Sequence, residues 1–349
     1  MKTVFRHLLI LLCLTAATLP LQAQSFDEDH KENINGTLLH FRVRGGDRSQ
    51  PYLVILHGGP GFSAHMFYHW GAGLEAFLNV VYLDQRGSGE SAHLNIAKLD
   101  RPQPEEVKDY TIPNLLKDIE GVRAFLKVKQ WWVLGHSWGG MLGLEYVTAY
   151  PGSVLGYVHM DGLLSQPMAQ NSVLDHAQAK FEVAAAGADK TGAEQGTAML
   201  AKVKAVRAMP PGPDRMFGAF QLIYLMFAGL YYAKTADMAV MNQQLAETTT
   251  RYHVPRAALS ANEPAIALIQ TEHYASRDDT PLLDKVTVRT LILNGRQDGL
   301  ITPKMAEIAH SRIKGSTLVL LDGSGHFPFM EQADKTTEAI RTFVDPPRK

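Results

Sequence analysis

The stretch Leu134-Gly135-His136-Ser137-Trp138-Gly139-Gly140 sets one hydroxyl between glycines. It follows the apolar run Trp131-Trp132-Val133 and precedes residues with helical spacing, so the expected order is strand, Gly-x-Ser-x-Gly, helix. Such a turn is so sharp that its serine takes a strained backbone conformation, and a Cβ at the flanking positions would collide. It lifts the hydroxyl above the strand end and aims the N–H of Trp138 at the same spot, backed by the dipole of the following helix. The chemistry that fits is attack of Ser137 on a carbonyl. A neutral hydroxyl is a poor nucleophile near pH 7, so a base and a group that orients the base are required.

Both are expected later in the chain, on loops past the ends of strands. The segment LILNGRQDGLIT places Asp298 just past one apolar run, and LVLLDGSGHFPF places His326 just past the next. The expected triad is therefore Ser137, His326 as base and Asp298 as its acid. Asp161, which closes YVHMDG, is the alternative acid. Asp322 reads as a turn residue and His310 as a structural one within a helix. A second oxyanion donor comes from LHGGPG at 56–61, where glycines let backbone N–H groups approach a ligand; Gly59 is the expected donor beside Trp138. His57 is expected to hold the shape of that loop. No metal or organic cofactor is needed for this chemistry, and the implied partner is a small-molecule or short-peptide substrate.

Runs with strand character fall at 38–43, 52–56, 80–83, 131–134, 154–160, 290–294 and 317–321, and helical spacing at 114–128, 141–150, 304–313 and 336–343. This alternation predicts the α/β class, a mostly parallel sheet covered by helices on both faces, with an antiparallel edge formed by 38–43 and a preceding strand. It stops after Asp161 and resumes near Val286. The predicted core is therefore 24–161 and 286–349, with a helical cap over 162–285 inserted after the sixth strand. Inside the cap, residues 216–233 carry no charge and are expected to form a buried helix lining a pocket.

The 349 residues, 46% hydrophobic and 20% charged, suit a globular chain with one large core and an insertion. A net charge of −1 without any basic block argues against nucleic acid as a partner. Residues 1–23, with Lys2 and Arg6 before an apolar stretch and Ala23 at a cleavage position, read as a signal peptide. Its apolar part is shorter than the ~20 residues a membrane span needs. The expectation is a periplasmic or secreted bacterial protein with no stable membrane insertion after signal removal. The lone Cys13 falls in that segment, leaving a mature chain without disulfides.

With HGGPG at 57–61, LDQRGSGES at 83–91, GHSWGG at 135–140, then Asp298 and His326, the chain resembles the prolyl aminopeptidase (proline iminopeptidase, peptidase S33) family. The resemblance covers 38–161 and 286–344 and implies an α/β-hydrolase fold. It implies removal of N-terminal proline or another small residue from peptides through an acyl-enzyme. By position, Ser137, Asp298 and His326 match the family triad, Gly59 and Trp138 its oxyanion donors, and Asp84 and Arg86 a structural loop. His136 and Gly140 depart from the usual elbow of bacterial members. The family recognises the substrate ammonium through cap glutamates, one of them in Glu-Asn-His-Tyr. Here the segment is Thr271-Glu272-His273-Tyr274, with the carboxylate displaced by one residue, about 100° around a helix. Glu272 and Glu263 are the candidates for that role. The alternative activity is an esterase or lactonase, its acyl group seated among Phe217, Phe220, Tyr224, Phe227, Tyr231 and Tyr232. An alternative of another class is a non-catalytic binding protein on the same fold.

Overall fold

The structure is a computed structural model and describes residues 25–345. The expected signal peptide and Cys13 lie outside the described residues.

Eight strands form one sheet in the order β1-β2-β4-β3-β5-β6-β7-β8. They are β1 (Phe26–Ile34), β2 (Thr37–Gly45), β3 (Tyr52–Leu56), β4 (Asn79–Leu83), β5 (Trp131–His136), β6 (Val154–Met160), β7 (Thr290–Gly295) and β8 (Thr317–Leu321). Strands β3 to β8 are mutually parallel, while β1 and β2 pair antiparallel and β2 joins β4 antiparallel. The preceding strand expected before 38–43 is β1. A two-residue turn joins it to β2, and Asn35 (φ 49°) and Gly36 (φ 76°) supply the left-handed pair such a hairpin demands. β1, FDEDHKENI, alternates half-buried and exposed residues along the edge, and its charges discourage further strand pairing. β4, β5 and β7 are buried throughout, which explains their uninterrupted apolar runs.

The helices are α1 (Tyr68–Glu75), α2 (Pro104–Val107), α3 (Ile112–Phe125), α4 (Trp138–Ala149), α5 (Gln166–Ala185), α6 (Lys190–Ala208), α7 (Pro213–Tyr231), α8 (Asp237–Tyr252), α9 (Glu263–Thr271), α10 (Pro303–Arg312), α11 (Pro328–Glu331) and α12 (Ala333–Val344). One side of the sheet packs Val54, Val133 and Ile292 against Ile119 of α3, Leu142 of α4 and Met305 of α10. The other packs Ile55, Leu134 and Leu293 against Leu74 of α1 and Ile340 of α12. Helix α3 begins at Thr111, whose hydroxyl accepts from Asn114 N, with Pro113 in the first turn where a missing N–H costs nothing.

Helices α5 to α9 lie between β6 and β7 in the chain. They carry a small core of their own, including Val173, Leu174, Val206, Leu222 and Leu230. Helix α7 departs from expectation. The uncharged run 216–233 is not wholly buried: Leu222, Met226 and Leu230 are covered, whereas Phe217 is 67% and Tyr224 82% exposed. Only one side of α7 meets α5 and α6, so its other side keeps its aromatics in solvent. Among the described residues no helix is long and apolar enough to cross a membrane.

Candidate active site

The carboxyl ends of the parallel strands all open on one edge of the sheet, where ligands bind in folds of this kind. Six loops leave from there: His57–Gly61 after β3, Asp84–Ser91 after β4, Ser137 after β5, Asp161 after β6, Asp298 after β7 and His326 after β8.

Ser137 sits between β5 and α4 with φ 56° and ψ −122°, a conformation that L-residues rarely hold. The flanking glycines make it attainable. A Cβ on Gly135 would stand 2.2 Å from Gly139 O, and one on Gly139 would stand 2.0 Å from Leu56 O. A Cβ on Gly58 would come within 2.9 Å of Ser137 Cβ, so the His57–Gly61 loop lies directly against the Ser137 turn. Gly59 follows with φ 118°.

His326 Nδ1 donates to Asp298 Oδ2 at 2.7 Å, and both side chains are buried. That bond fixes the tautomer that leaves Nε2 with its lone pair free to accept a proton. Asp298 Oδ1 accepts from Leu300 N (2.8 Å) and Ile301 N (2.9 Å), which immobilises the carboxylate. His136 ties the serine turn to the base loop, since its Nε2 donates to His326 O at 2.8 Å. Burial holds His136 well below the usual histidine range, and the neighbouring His326 adds to the effect; a neutral imidazole is thus kept beside His326.

The loop after β4 braces the loop after β3. Gln85 N donates to His57 Nε2 (3.1 Å), Gln85 Nε2 donates to His57 O (2.9 Å), and Trp138 Nε1 donates to Gln85 Oε1 (2.9 Å). His57 Nδ1 in turn donates to Gly58 O, so both of its ring nitrogens are engaged within the loops. Asp84 accepts from His40 Nδ1 (2.7 Å), Ala64 N (2.8 Å) and Glu90 N (2.9 Å). Burial is the largest single influence and opposes its charge, but the His40 hydrogen bond and the nearby imidazoles of His65, His40 and His57 together outweigh it and hold the carboxyl well below the carboxylate range. Arg86 grips buried Asp118 through Nε (2.8 Å) and Nη2 (2.7 Å). Gln85 went unread in the sequence, although it stands between Asp84 and Arg86 in the same motif.

A family model described as alpha/beta hydrolase fold matches residues 51–333. The chain belongs to that family. A proline iminopeptidase from Saccharolobus solfataricus is 29% identical over 87% of this chain and 87% of its own length. One from Lactobacillus helveticus is 26% identical over 88% of this chain and 94% of its own. The resemblance to the prolyl aminopeptidase family, drawn above from motifs, therefore holds along most of the hydrolase. Solved structures share its fold. They include a proline iminopeptidase from Mycobacterium smegmatis (TM-score 0.67, 18% identity, 91% of this chain and 97% of that one). An esterase from Exiguobacterium antarcticum is another (TM-score 0.58, 20% identity, 89% and 96%).

Helix α7 is fastened to the loops after β7 and β8 by backbone bonds that no sequence pattern announces. At the end of α7, Leu230 O accepts from Gly299 N (2.9 Å) and Tyr231 O accepts from His326 N (2.6 Å). Glu331 straps the same region, accepting from Gly325 N (2.9 Å), Phe327 N (3.2 Å) and Ala233 N (2.8 Å). Tyr231 presents its ring edge-on to His326 at 5.0 Å and stacks on Phe227. Of the six aromatics expected to seat a substrate, Phe217, Phe220 and Tyr224 are exposed on α7, whereas Phe227, Tyr231 and Tyr232 pack toward Phe327, beside His326. Beside the loop after β3, Ala261 N donates to Gly61 O at 2.7 Å and Phe62 pairs with Ser260.

Glu272 is engaged in the framework: Oε1 accepts from Ile112 N (3.0 Å), and Oε2 pairs with Arg277 (3.2 Å), which also meets Glu145 and Asp279. Glu263, half-buried, opens α9 one residue before Pro264, which packs against Gly61 and Gly87. It has no ion-pair partner among the described residues. Asp161, the alternative acid, does not bond to His326, yet a carboxylate oxygen of Asp161, one of Asp298 and a ring nitrogen of His326 all lie within 4.8 Å of one another. Surface cavities of about 590 Å³ beside Arg44 and Tyr252, and about 630 Å³ beside Met209 and Phe217, lie elsewhere.

Proposed function

We propose that the chain is a serine hydrolase that forms an acyl-enzyme and releases N-terminal proline or another small residue from short peptides. The observation that carries this reading is the buried 2.7 Å His326–Asp298 bond, tied through His136 Nε2 and His326 O to the glycine-flanked turn that holds Ser137 at positive φ. Ser137 Oγ attacks the carbonyl carbon while His326 Nε2 takes its proton. Asp298 supports the charge that develops on the imidazole, and the N–H groups of Gly59 and Trp138 receive the oxyanion. His326 then returns the proton to the leaving amine and activates the water that deacylates Ser137.

For the substrate ammonium, Glu263 is favoured over Glu272, whose oxygens already serve Ile112 and Arg277. A second reading, an esterase for small apolar acyl groups, draws support from the Phe227–Tyr231 stack beside His326. Replacing Ser137 by alanine tests the common mechanism: turnover is expected to fall by several orders of magnitude in a folded protein. Parent-like turnover would remove the mechanism. Prolyl and alanyl arylamides with free and blocked α-amines separate the two substrates. The aminopeptidase reading expects blocking to abolish turnover, and Glu263→Gln to raise KM for the free amine while leaving ester cleavage alone.

A further inference from the structure

Asp161 directly follows β6, and its backbone at φ 41° is unusual for any residue but glycine, asparagine or aspartate. Its N–H donates to Leu293 O and its Oδ1 accepts from Gly295 N, both at 2.8 Å, so the side chain is pinned between β6 and β7. It is completely buried, and Oδ2 has no donor. An ionised carboxylate in that position would set a buried oxygen within 4.8 Å of an oxygen of the buried Asp298 carboxylate, and burial of two like charges so close disfavours ionising both. Asp298 takes three donors, Leu300 N, Ile301 N and His326 Nδ1, whereas Asp161 takes one. The shared negative charge therefore resides on Asp298.

We propose that Asp161 is a positioning residue of the acid–base pair, a neutral carboxylic acid whose Oδ2–H donates to the Asp298 carboxylate and keeps a single negative charge beside His326. Burial drives its carboxyl far above the usual range, and the facing charges of Asp298 and, farther off, Glu331 push in the same direction. A basic side chain, His326, faces the pair, with a ring nitrogen within 4.8 Å of a carboxylate oxygen of Asp161. The strand order makes the arrangement possible: β6 and β7 are neighbours, so the residues that end them meet. The donated bond would restrain the second lone pair of Asp298 Oδ2 and fix the orientation that His326 follows.

The inference rests on the triad reading of Ser137, His326 and Asp298, and two measurements on the full chain keep the two apart. In the infrared difference spectrum of the parent minus Asp161→Asn at pH 7, a protonated-carboxyl band is expected. Its absence would overturn the proposal whatever the protein hydrolyses. The second measurement is the rate at which a fluorophosphonate probe labels Ser137. Asp161→Gly, which suits the positive φ, is expected to slow labelling by about tenfold or more, the scale typical of outer-shell partners. Asp161→Asn, whose amide donates toward Asp298 and accepts from Gly295 N, recovers most of that loss. Asp161→Asn as slow as Asp161→Gly, or Asp161→Gly as fast as the parent, would overturn the proposal. Failure of the probe to label the parent would instead strike the triad reading, leaving the infrared band to decide the state of Asp161.

Discussion

Ser137 is held at φ 56° and ψ −122°, and any residue with a Cβ bears the cost of that conformation. A residue forced into such a sparsely populated region costs about 1–3 kcal/mol. Glycine adopts it freely but raises the entropy of the unfolded chain, at a cost of about 0.5–1 kcal/mol. Taking mid-range values of each, Ser137→Gly is expected to be more stable than Ser137→Ala by about 1 kcal/mol, because alanine keeps the strain and glycine releases it. Ser137 is only half-buried, so the lost Cβ subtracts little packing. An unfolding entropy of about 2.1 cal/mol/K per residue over residues 25–345 amounts to about 0.7 kcal/mol/K, which converts the difference to about 2 °C in Tm. Differential scanning calorimetry on the two variants measures it, with hydrolysis abolished in both. A glycine variant that melts at or below the alanine variant would refute the claim that the turn stores strain at the nucleophile.

Gly139→Ala places a Cβ 2.0 Å from Leu56 O and 2.7 Å from His57 O, both backbone atoms that cannot swing aside. The start of α4 must shift away from the oxyanion loop, so ester kcat/KM is expected to fall by about 10²-fold while stability drops by only about 1–3 kcal/mol; an undiminished kcat/KM would contradict the geometry. His159 is buried, and burial lowers it to about 4. The unfolded chain binds its proton near pH 6.5 and the native state does not, so stability is lost as pH falls from 6.5 through 4, by up to about 3 kcal/mol from this group. Urea midpoints at pH 7 and pH 4.5 measure the loss, and His159→Gln is expected to flatten the slope. Mass spectrometry of protein exported by a bacterial host is expected to find Gln24 at the N-terminus, as cleavage after Ala23 requires; an intact Met1 would reject the signal reading.

Local chemistry was legible in the chain. Runs such as Trp131–Leu134 declared buried parallel strands because both of their faces are covered, and Gly135 and Gly139 declared the turn because the close approaches that forbid a Cβ lie within a few residues or at the adjoining strand end. Family motifs carried the Asp84 and Arg86 loop. The departures have a common cause in distance along the chain. Glu272 is bound by Ile112 N, 160 residues away, a partner no periodicity could nominate. The uncharged run in α7 reads as buried from composition, but which of its sides is covered depends on where α5 and α6 pack.

Thus the sequence alone determined the candidate reacting groups and the order of strands, turns and helices that carry them, since backbone propensity and side-chain alternation are properties of short segments. Which loops meet was decided only by tertiary structure. The pairing of β6 with β7 sets Asp161 beside Asp298, and the end of α7 places its carbonyls on Gly299 and His326. Such contacts depend on strand order and on the packing of whole layers, quantities to which every segment contributes and that no single segment encodes.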